Sequence, residues 1–143
     1  MKSDGLAGWF ARFCTLGKES GTGSRGENAA ARYLTRKCGL RLIRRNWRNR
    51  GDLREEIDLI CRDREVTVFV EVKTRGSGDV VDGFAAVDRR KKKALRRACR
   101  HYLNQVRGEG PDPPFRLDVV VVLLGADGRV SEIRHFPNVP LFS

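Results

Sequence analysis

The sequence lacks a long apolar run, a signal-peptide core and any close pairing of metal-binding residues. No apolar stretch approaches the roughly 20 residues that span a bilayer, and Asp4 and Arg12 interrupt the N-terminal segment. Four cysteines are widely spaced along the chain: Cys14, Cys38, Cys61 and Cys99. Since neither a C-x-x-C motif nor a histidine pair accompanies them, we expect a cytoplasmic protein with free thiols, no zinc site and no membrane-spanning segment.

Acidic residues are outnumbered. The 143 residues include 29 lysines and arginines against 18 aspartates and glutamates, which gives a net charge of +11. This excess indicates a polyanionic partner, nucleic acid rather than a membrane surface, although a solvated basic surface is the plainer interpretation. The sequence also has no glycine-rich phosphate loop and no evident Ser-His-Asp or Cys-His arrangement, and we expect neither His101 nor His135 to be catalytic.

The most informative stretch is residues 56–74, where apolar residues alternate with charged or polar ones in two short runs. Alternation of this kind predicts two β-strands in a hairpin. If the turn centres on residues 63–64, Asp58 pairs with Phe69 and lies diagonal to Glu71, roughly 7–8 Å away. A shift of one residue in this register would move the aspartate to the opposite face.

Asp58, Glu71 and Lys73 form the candidate catalytic set. Glu71 and Lys73 are two residues apart, so they share one face of the second strand. Carboxylate oxygens suit hard cations such as Mg²⁺, and a neighbouring ammonium can stabilise phosphate charge. The combination is typical of metal-assisted phosphodiester hydrolysis. The alternative is a solvated surface hairpin, but the valine-rich second strand favours a central position in the sheet.

The first predicted helix runs from about Gly26 to Cys38 and ends at Gly39. Glu27 in its first turn has two interpretations. With Ser24 it has the form of a capping box, which is a structural role. By helical spacing it also lies on the apolar stripe that faces inward, where a carboxylate could line a pocket. The sequence supports both interpretations, which are not exclusive.

Two shorter segments are candidate phosphate contacts. Residues 40–50 begin as a strand and are rich in arginine, which predicts phosphate binding, with a basic strand edge as the alternative. Trp47 lies among these arginines; an aromatic there could stack on a base, but we expect it in the core. The glycine-rich residues 74–84 predict a loop beside the site, in which Arg75 could contact phosphate. The candidates in the first segment are Arg44, Arg45 and Arg48.

The second predicted helix, residues 87–106, is apolar on one face and basic on the other. Residues 88–107 contain nine lysines and arginines and one aspartate, a net charge of +8. Because cations near a helix N-terminus oppose the helix dipole, this concentration favours binding to a phosphate backbone over a merely solvated face. The candidate contacts are Arg89, Arg90, Lys91, Lys92 and Lys93.

The C-terminal region predicts a buried strand at residues 115–124, a GADG turn and a last strand, RVSEIRHF. We expect Asp118 to be structural, through pairing with a basic residue, although it could support the site. The order helix, strand, hairpin, helix, hairpin predicts an α/β domain whose mixed central sheet is flanked by helices. We assign this domain to residues 24–143 and treat residues 1–23 as a flexible extension.

The motifs GENAAARYL, RRNWR, EIDLI, VFVEVKTR and RLDVV resemble the YraN-like family of small bacterial proteins, over roughly residues 23–140. The resemblance implies the restriction-endonuclease-like fold of the PD-(D/E)xK nucleases, with distant similarity to Holliday-junction resolvases. Two positions depart from these patterns. Ile57 stands where the nucleases have proline, and Glu55 stands where the family usually has glycine.

Carried over by position, the resemblance implies a nuclease core of Asp58, Glu71 and Lys73. It also matches Glu27 to an acidic residue on the first helix. The metal, Mg²⁺ or Mn²⁺, would be held by Asp58, Glu71 and the backbone carbonyl of Val72. These roles rest on similarity of fold.

These observations together predict a metal-dependent endonuclease that acts on nucleic acid, DNA in preference, in a branched or single-stranded form. Resolvase-like enzymes often act as homodimers, but no interface can be identified in this sequence, which leaves the oligomeric state open. One alternative is a non-catalytic nucleic-acid-binding module on a nuclease fold. Another is an interaction protein that docks an acidic partner without preferring DNA.

Overall fold

The computed structural model describes residues 22–76 and 89–141. The elements in these ranges are α1 (Thr22–Arg36), β1 (Arg41–Asn49), β2 (Asp52–Asp63), β3 (Val66–Gly76), α2 (Arg89–Arg107), β4 (Phe115–Leu124) and β5 (Val130–Phe136). Their order is the one that the sequence predicts. The proposed N-terminal extension lies outside the described residues, except for its last two, which begin α1. No helix in the described part of the chain is long and apolar enough to cross a membrane.

The five strands form one sheet in the order β1-β2-β3-β4-β5. β3 and β4 run parallel, and the other neighbours are antiparallel. A parallel pair needs a crossover connection, and α2 lies in the connection between β3 and β4. The mixed sheet with its helices confirms the predicted α/β class.

Each face of the sheet carries its own apolar core. Val68 and Val70 of β3 pack in a cluster with Leu34 of α1, which defines the α1 face. Phe69, between them in sequence, packs in a second cluster with Leu95 of α2, which defines the α2 face. All five side chains are buried, and each contributes about 1.5–3 kcal/mol by leaving water. A central strand buried on both faces is what the valine-rich sequence predicts.

Helix α1 begins four residues before the predicted start. Ser24 therefore lies within the first turn instead of capping it, and the capping-box interpretation of Glu27 is wrong for this helix. The helix ends at Arg36, two residues before the predicted end. Gly39 follows with a φ of 70°, a left-handed conformation that suits glycine after a helix.

Gly26 allows the start of α1 to lie directly on β3. A Cβ atom built on Gly26 would stand 2.0 Å from Oγ1 of Thr74, so any other residue there would force the Thr74 side chain to move. This contact fixes the first turn of α1 against the end of β3 that carries the candidate catalytic residues.

Other details differ from the predictions. β3 continues to Gly76, so Thr74 and Arg75 are buried strand residues, and the loop expected from residue 74 is wrong over 74–76. The rest of that loop, residues 77–84, lies outside the described residues. Val106, the last residue of the second predicted helix, is 53% exposed and does not belong to the buried face of α2. Trp47 is buried with its ring edge-on to Tyr102, at 5.8 Å between centroids, which confirms its expected place in the core.

Candidate metal and nucleic-acid site

The hairpin of β2 and β3 has a different turn from the expected one. Its ladder begins at Asp63 opposite Val66, so the two turn residues are 64–65, and Arg64 has a φ of 55°. If this register is continued, Asp58 stands opposite Glu71 and not Phe69. The predicted register is therefore wrong by two residues. A two-residue change preserves the face of each side chain, so it brings the two carboxyl groups closer together.

The sheet splits where these carboxylates lie. The pairing between β2 and β3 ends at Leu59 opposite Val70. Beyond that point β2 pairs with β1, while β3 pairs with β4 as far as Gly76. Asp58 follows the end of the ladder on β2, and its Oδ2 accepts a hydrogen bond of 2.8 Å from the backbone N–H of Val72. The split thus frees backbone that would otherwise be paired across the hairpin.

β2 is irregular at the same position. Ile57 packs in the α2-face core and Leu59 in the α1-face core, although two residues this far apart share a face in a regular strand. On β1, Asn46 lies between the partners of these two residues and has a φ of 49°, a left-handed conformation that asparagine tolerates. The change of face therefore centres on Asp58, and the regular alternation expected from the sequence does not hold there.

Asp58 carries the most perturbed carboxyl group of the site. Burial, and then the charge of Glu71, raise its pKa well above the usual range. The Val72 N–H and the Lys91 ammonium oppose this change, and Glu27 adds to it. Since these charges act through space, Glu27 and Lys91 both lie close to the pair. The structure thus brings together both strand carboxylates and the helix carboxylate that the sequence singled out.

Glu71 has one occupied and one open oxygen. Its side chain is 6% exposed, and Oε1 lies 3.5 Å from the Lys91 Nζ. Oε2 is buried and accepts no hydrogen bond from the residues that the structure describes. A buried carboxylate oxygen without a donor is costly, and a cation would satisfy it. Lys73 is buried two residues further along β3.

This donor set suits Mg²⁺ or Mn²⁺ better than zinc. Within residues 22–76 and 89–141, no group of three or more histidine, cysteine, aspartate or glutamate side chains is arranged to hold a metal. Mg²⁺ is commonly held by one or two carboxylates, with water and substrate phosphate completing its shell. Asp58 and the open oxygen of Glu71 fit that requirement, and the Val72 carbonyl is adjacent in sequence.

Lys91 is the site residue whose role sequence analysis missed. The sequence groups it with four basic neighbours as a phosphate contact, whereas the structure pairs its ammonium with Glu71. Nothing in the spacing could show this, because the two residues lie on separate elements joined through the crossover connection. The sequence order gives one indication of the contact: α2 is the next element after β3, the strand that carries Glu71.

The other basic candidates differ in how far they are exposed. Of the α2 group, Arg89, Arg90 and Lys93 are exposed, and Lys92 is partly buried. Arg75 is buried in β3, and its contact with phosphate stays a prediction.

β1 supplies a second group of cations at the edge of the sheet. Arg44, Arg45 and Arg48 are all exposed there. Arg45 donates to the Asn28 side chain at 2.5 Å, which places it beside the α1 turn that carries Glu27. Arg48 lies 3.4 Å from Glu56. A charged edge also discourages pairing with other chains, so the structural interpretation of these arginines stays open.

Glu55, the residue found where glycine is usual, does not enter the site. Its buried carboxylate is bound by His101 at 2.5 Å, Asn49 at 2.9 Å and Arg97 at 3.3 Å. These contacts tie the β1–β2 hairpin to α2. The desolvation of Glu55 is more than offset by these donors, so its pKa is lowered. This departure from the family pattern therefore strengthens packing and leaves the acidic pair unchanged.

Asp118 has the structural role that the sequence indicates. It is fully buried, and Arg116 donates to it at 3.0 Å, as does the backbone N–H of Asn138. His135 lies 2.8 Å from its other oxygen. Burial alone would raise the pKa of Asp118, but the bonds from His135, Asn138 and Arg116 lower it overall.

Comparison with known proteins gives a consistent result. The family model for uncharacterised protein family UPF0102 matches residues 26–122. A UPF0102 protein of Symbiobacterium thermophilum is 45% identical over 76% of this chain and 86% of its own length. One of Nocardia farcinica is 39% identical over 87% of this chain and 92% of its own, and one of Chlorobium phaeobacteroides is 37% identical over 81% and 90%. The family match begins at Gly26, the residue that seats α1 on β3.

Proposed function

The chain belongs to the uncharacterised protein family UPF0102, and we propose that it is a divalent-metal-dependent endonuclease that hydrolyses phosphodiester bonds in nucleic acid, DNA in preference. The observation that carries the proposal is the pair of carboxylates just beyond the split between β2 and β3. Burial, and then the charge of Glu71, raise the pKa of Asp58, and Glu71 has a buried oxygen open to a cation. The restriction-endonuclease-like fold that the family resemblance implies supports the same function.

The residues that would hold the ion are Asp58, Glu71 and the Val72 carbonyl. When bound there, Mg²⁺ or Mn²⁺ supplies Lewis-acid activation of the phosphate and of water. The Val72 N–H donates a hydrogen bond to Oδ2 of Asp58 and so fixes the orientation of the carboxylate. The second oxygen of Asp58 accepts no part of that bond. Lys73 lies in the buried part of the site, where its ammonium would stabilise the negative charge that develops on the phosphate.

Glu27 adds a third carboxylate at the edge of the site. Its charge reaches Asp58, and Gly26 keeps its helix in contact with β3. From that position it can bind water at the ion or orient the attacking water. Both tasks need only a partly exposed carboxylate, which Glu27 has.

Phosphate binding falls to the exposed cations on two sides of the site. Lys91, in the first turn of α2, contacts Glu71. The exposed cations beside it on the same helix are Arg89, Arg90 and Lys93. Arg45 approaches from β1 beside α1. Contacts of this kind position a nucleic-acid backbone without reading its bases, so we expect weak sequence preference and strong dependence on salt.

One observation favours the non-catalytic alternative, a nucleic-acid-binding module. The Lys91 ammonium already gives Glu71 a cationic partner. A protein that used Lys91 permanently in place of a metal would bind DNA without cleaving it. Metal binding separates the two functions, since only the nuclease requires it.

Cleavage of branched, flapped and single-stranded DNA in Mg²⁺ or Mn²⁺ tests the proposal. We expect Asp58→Asn and Lys73→Ala each to lose at least about 100-fold in rate, because each removes charge from the reacting centre. Glu132→Gln is the matched control, since Glu132 is an exposed strand carboxylate paired with Arg134. Equal cleavage by all four proteins would rule out the catalytic assignment.

A further inference from the structure

A second group of reactive side chains lies on the α1 face of the sheet, away from the acidic pair. Cys38 follows the end of α1, and its Sγ lies 3.8 Å from Nδ1 of His135 on β5. Nε2 of the same ring lies 2.8 Å from Oδ2 of Asp118 on β4. Thiol, imidazole and carboxylate thus form a continuous chain, although 97 residues separate the cysteine from the histidine.

Asp118 determines what the imidazole can do. Its carboxylate is fully buried and its pKa is lowered, so it is ionised and accepts a hydrogen bond from Nε2–H of His135. In the neutral ring, that bond leaves Nδ1 as an acceptor. Nδ1 is the atom that faces Cys38. The ring is therefore held in the tautomer that can take the thiol proton, the arrangement used by cysteine nucleophiles.

Tyr33 completes the surroundings of the thiol. Its ring stands edge-on to His135, with centroids 5.7 Å apart, which restrains rotation of the imidazole. Burial and a hydrogen bond with Cys38 raise the pKa of Tyr33, so its hydroxyl stays protonated beside the sulfur. A protonated hydroxyl can donate to a thiolate.

The position of Cys38 distinguishes it from the other described cysteines. Cys61 and Cys99 are buried, and burial raises the pKa of Cys61 to about 11 and that of Cys99 further. Cys38 is partly exposed and follows two exposed cations, Arg36 and Lys37. The two neighbouring cations would favour the approach of anionic reagents to this part of the surface.

We propose that Cys38 is a nucleophilic modification site that reacts with anionic low-molecular-weight disulfides to form a reversible mixed disulfide. The Cys38 thiolate attacks one sulfur of the reagent, the new S–S bond forms, and the S–S bond of the reagent breaks. The departing thiolate takes the proton that His135 received from Cys38 and leaves as a thiol. A second exchange with a free thiol reverses the reaction.

The site on the α1 face does not depend on the proposed nuclease. Its residues lie on α1, just after α1, and on β4 and β5, whereas the acidic pair, Asp58 and Glu71, lies on β2 and β3. The two proposals can therefore fail separately.

The test measures the rate at which oxidised glutathione modifies Cys38 at neutral pH, with each cysteine followed by peptide mass spectrometry. We expect native Cys38 to react at least about tenfold faster than Cys38 in the urea-unfolded chain, because base catalysis outweighs partial burial. We expect His135→Gln to lose that advantage, while His101→Gln, which alters the histidine bound to Glu55, keeps it.

A native rate equal to or below the unfolded rate would overturn the proposal, and so would equal rates in wild type and His135→Gln. Protection of Cys61 and Cys99 reports whether the variant is folded. If those thiols become reactive in His135→Gln, the comparison of native and unfolded wild type decides the matter by itself.

Discussion

Asp58 and Asp118 are two aspartates of one sheet with opposite electrostatic surroundings. Asp118 receives donors from Arg116, Asn138 and His135, and its pKa is lowered in spite of complete burial. Asp58 has one backbone donor and a second carboxylate beside it, and its pKa is raised. The first arrangement stabilises the fold. In the second, two buried carboxylates repel each other, and a bound cation would reduce that repulsion. Perturbed carboxyl groups of this kind are common at functional sites.

The largest expected effect is on stability. Asp118→Ala should lower the free energy of unfolding by roughly 3 kcal/mol, since it leaves the partly buried His135 ring and the Asn138 N–H without their acceptor and removes one of the two carboxylates that Arg116 contacts. Asp58→Asn should be neutral or stabilising, because the amide keeps an acceptor for Val72 and removes the repulsion with Glu71. Urea unfolding of both variants measures the difference. A comparable loss of stability in Asp58→Asn would show that the two aspartates have the same role.

The next effect concerns the contact that brings α1 to the acidic site. Gly→Ala in a helix normally stabilises by up to ~1 kcal/mol, but Gly26→Ala should destabilise by about 1–3 kcal/mol because its methyl group meets Thr74. Gly23→Ala is the matched control, since a Cβ there meets nothing within 4 Å. Thr74→Ala should restore part of the loss. If Gly26→Ala and Gly23→Ala were equally stable, α1 would not depend on this close approach.

The smallest effect is a difference in pH dependence. The stability from Asp118 is present above its unfolded pKa of about 3.9 and is lost as pH falls through its lower folded value. Asp58 has the opposite sign, so its contribution falls as pH rises from about 3.9 to its raised folded pKa. Asp58→Asn should therefore gain stability over wild type as pH increases. Unfolding curves from about pH 4 to about pH 8 test this, and a difference independent of pH would contradict it.

The sequence predicts most of the fold because its patterns are local. The high valine content of residues 66–74 predicts a central strand, and the clusters around Val70 and Phe69 on opposite faces of the sheet confirm it. The turn was harder to place. Arg64 adopts a left-handed conformation without being glycine or asparagine, so residue type gave no indication of which two residues make the turn.

The parts of the site that could not be predicted depend on long-range packing. The contact of Lys91 with Glu71 needs the crossover from β3 to β4, and the seat of Gly26 needs the exact position of Thr74. The same holds for His135, which has no partner at short spacing yet contacts both Cys38 and Asp118. Residue type identifies such groups as candidates, but which of them are in contact depends on the fold.

Titration with Mn²⁺ by calorimetry tests the central claim most directly. We predict one ion per wild-type chain, no binding to Asp58→Asn or Glu71→Gln, and unchanged binding to Glu132→Gln. Affinity should increase with pH, because Asp58, whose pKa is raised, must lose its proton to bind the ion. Absence of binding by the wild type, or equal binding by all four proteins, would contradict the account and leave a cationic surface for nucleic acid.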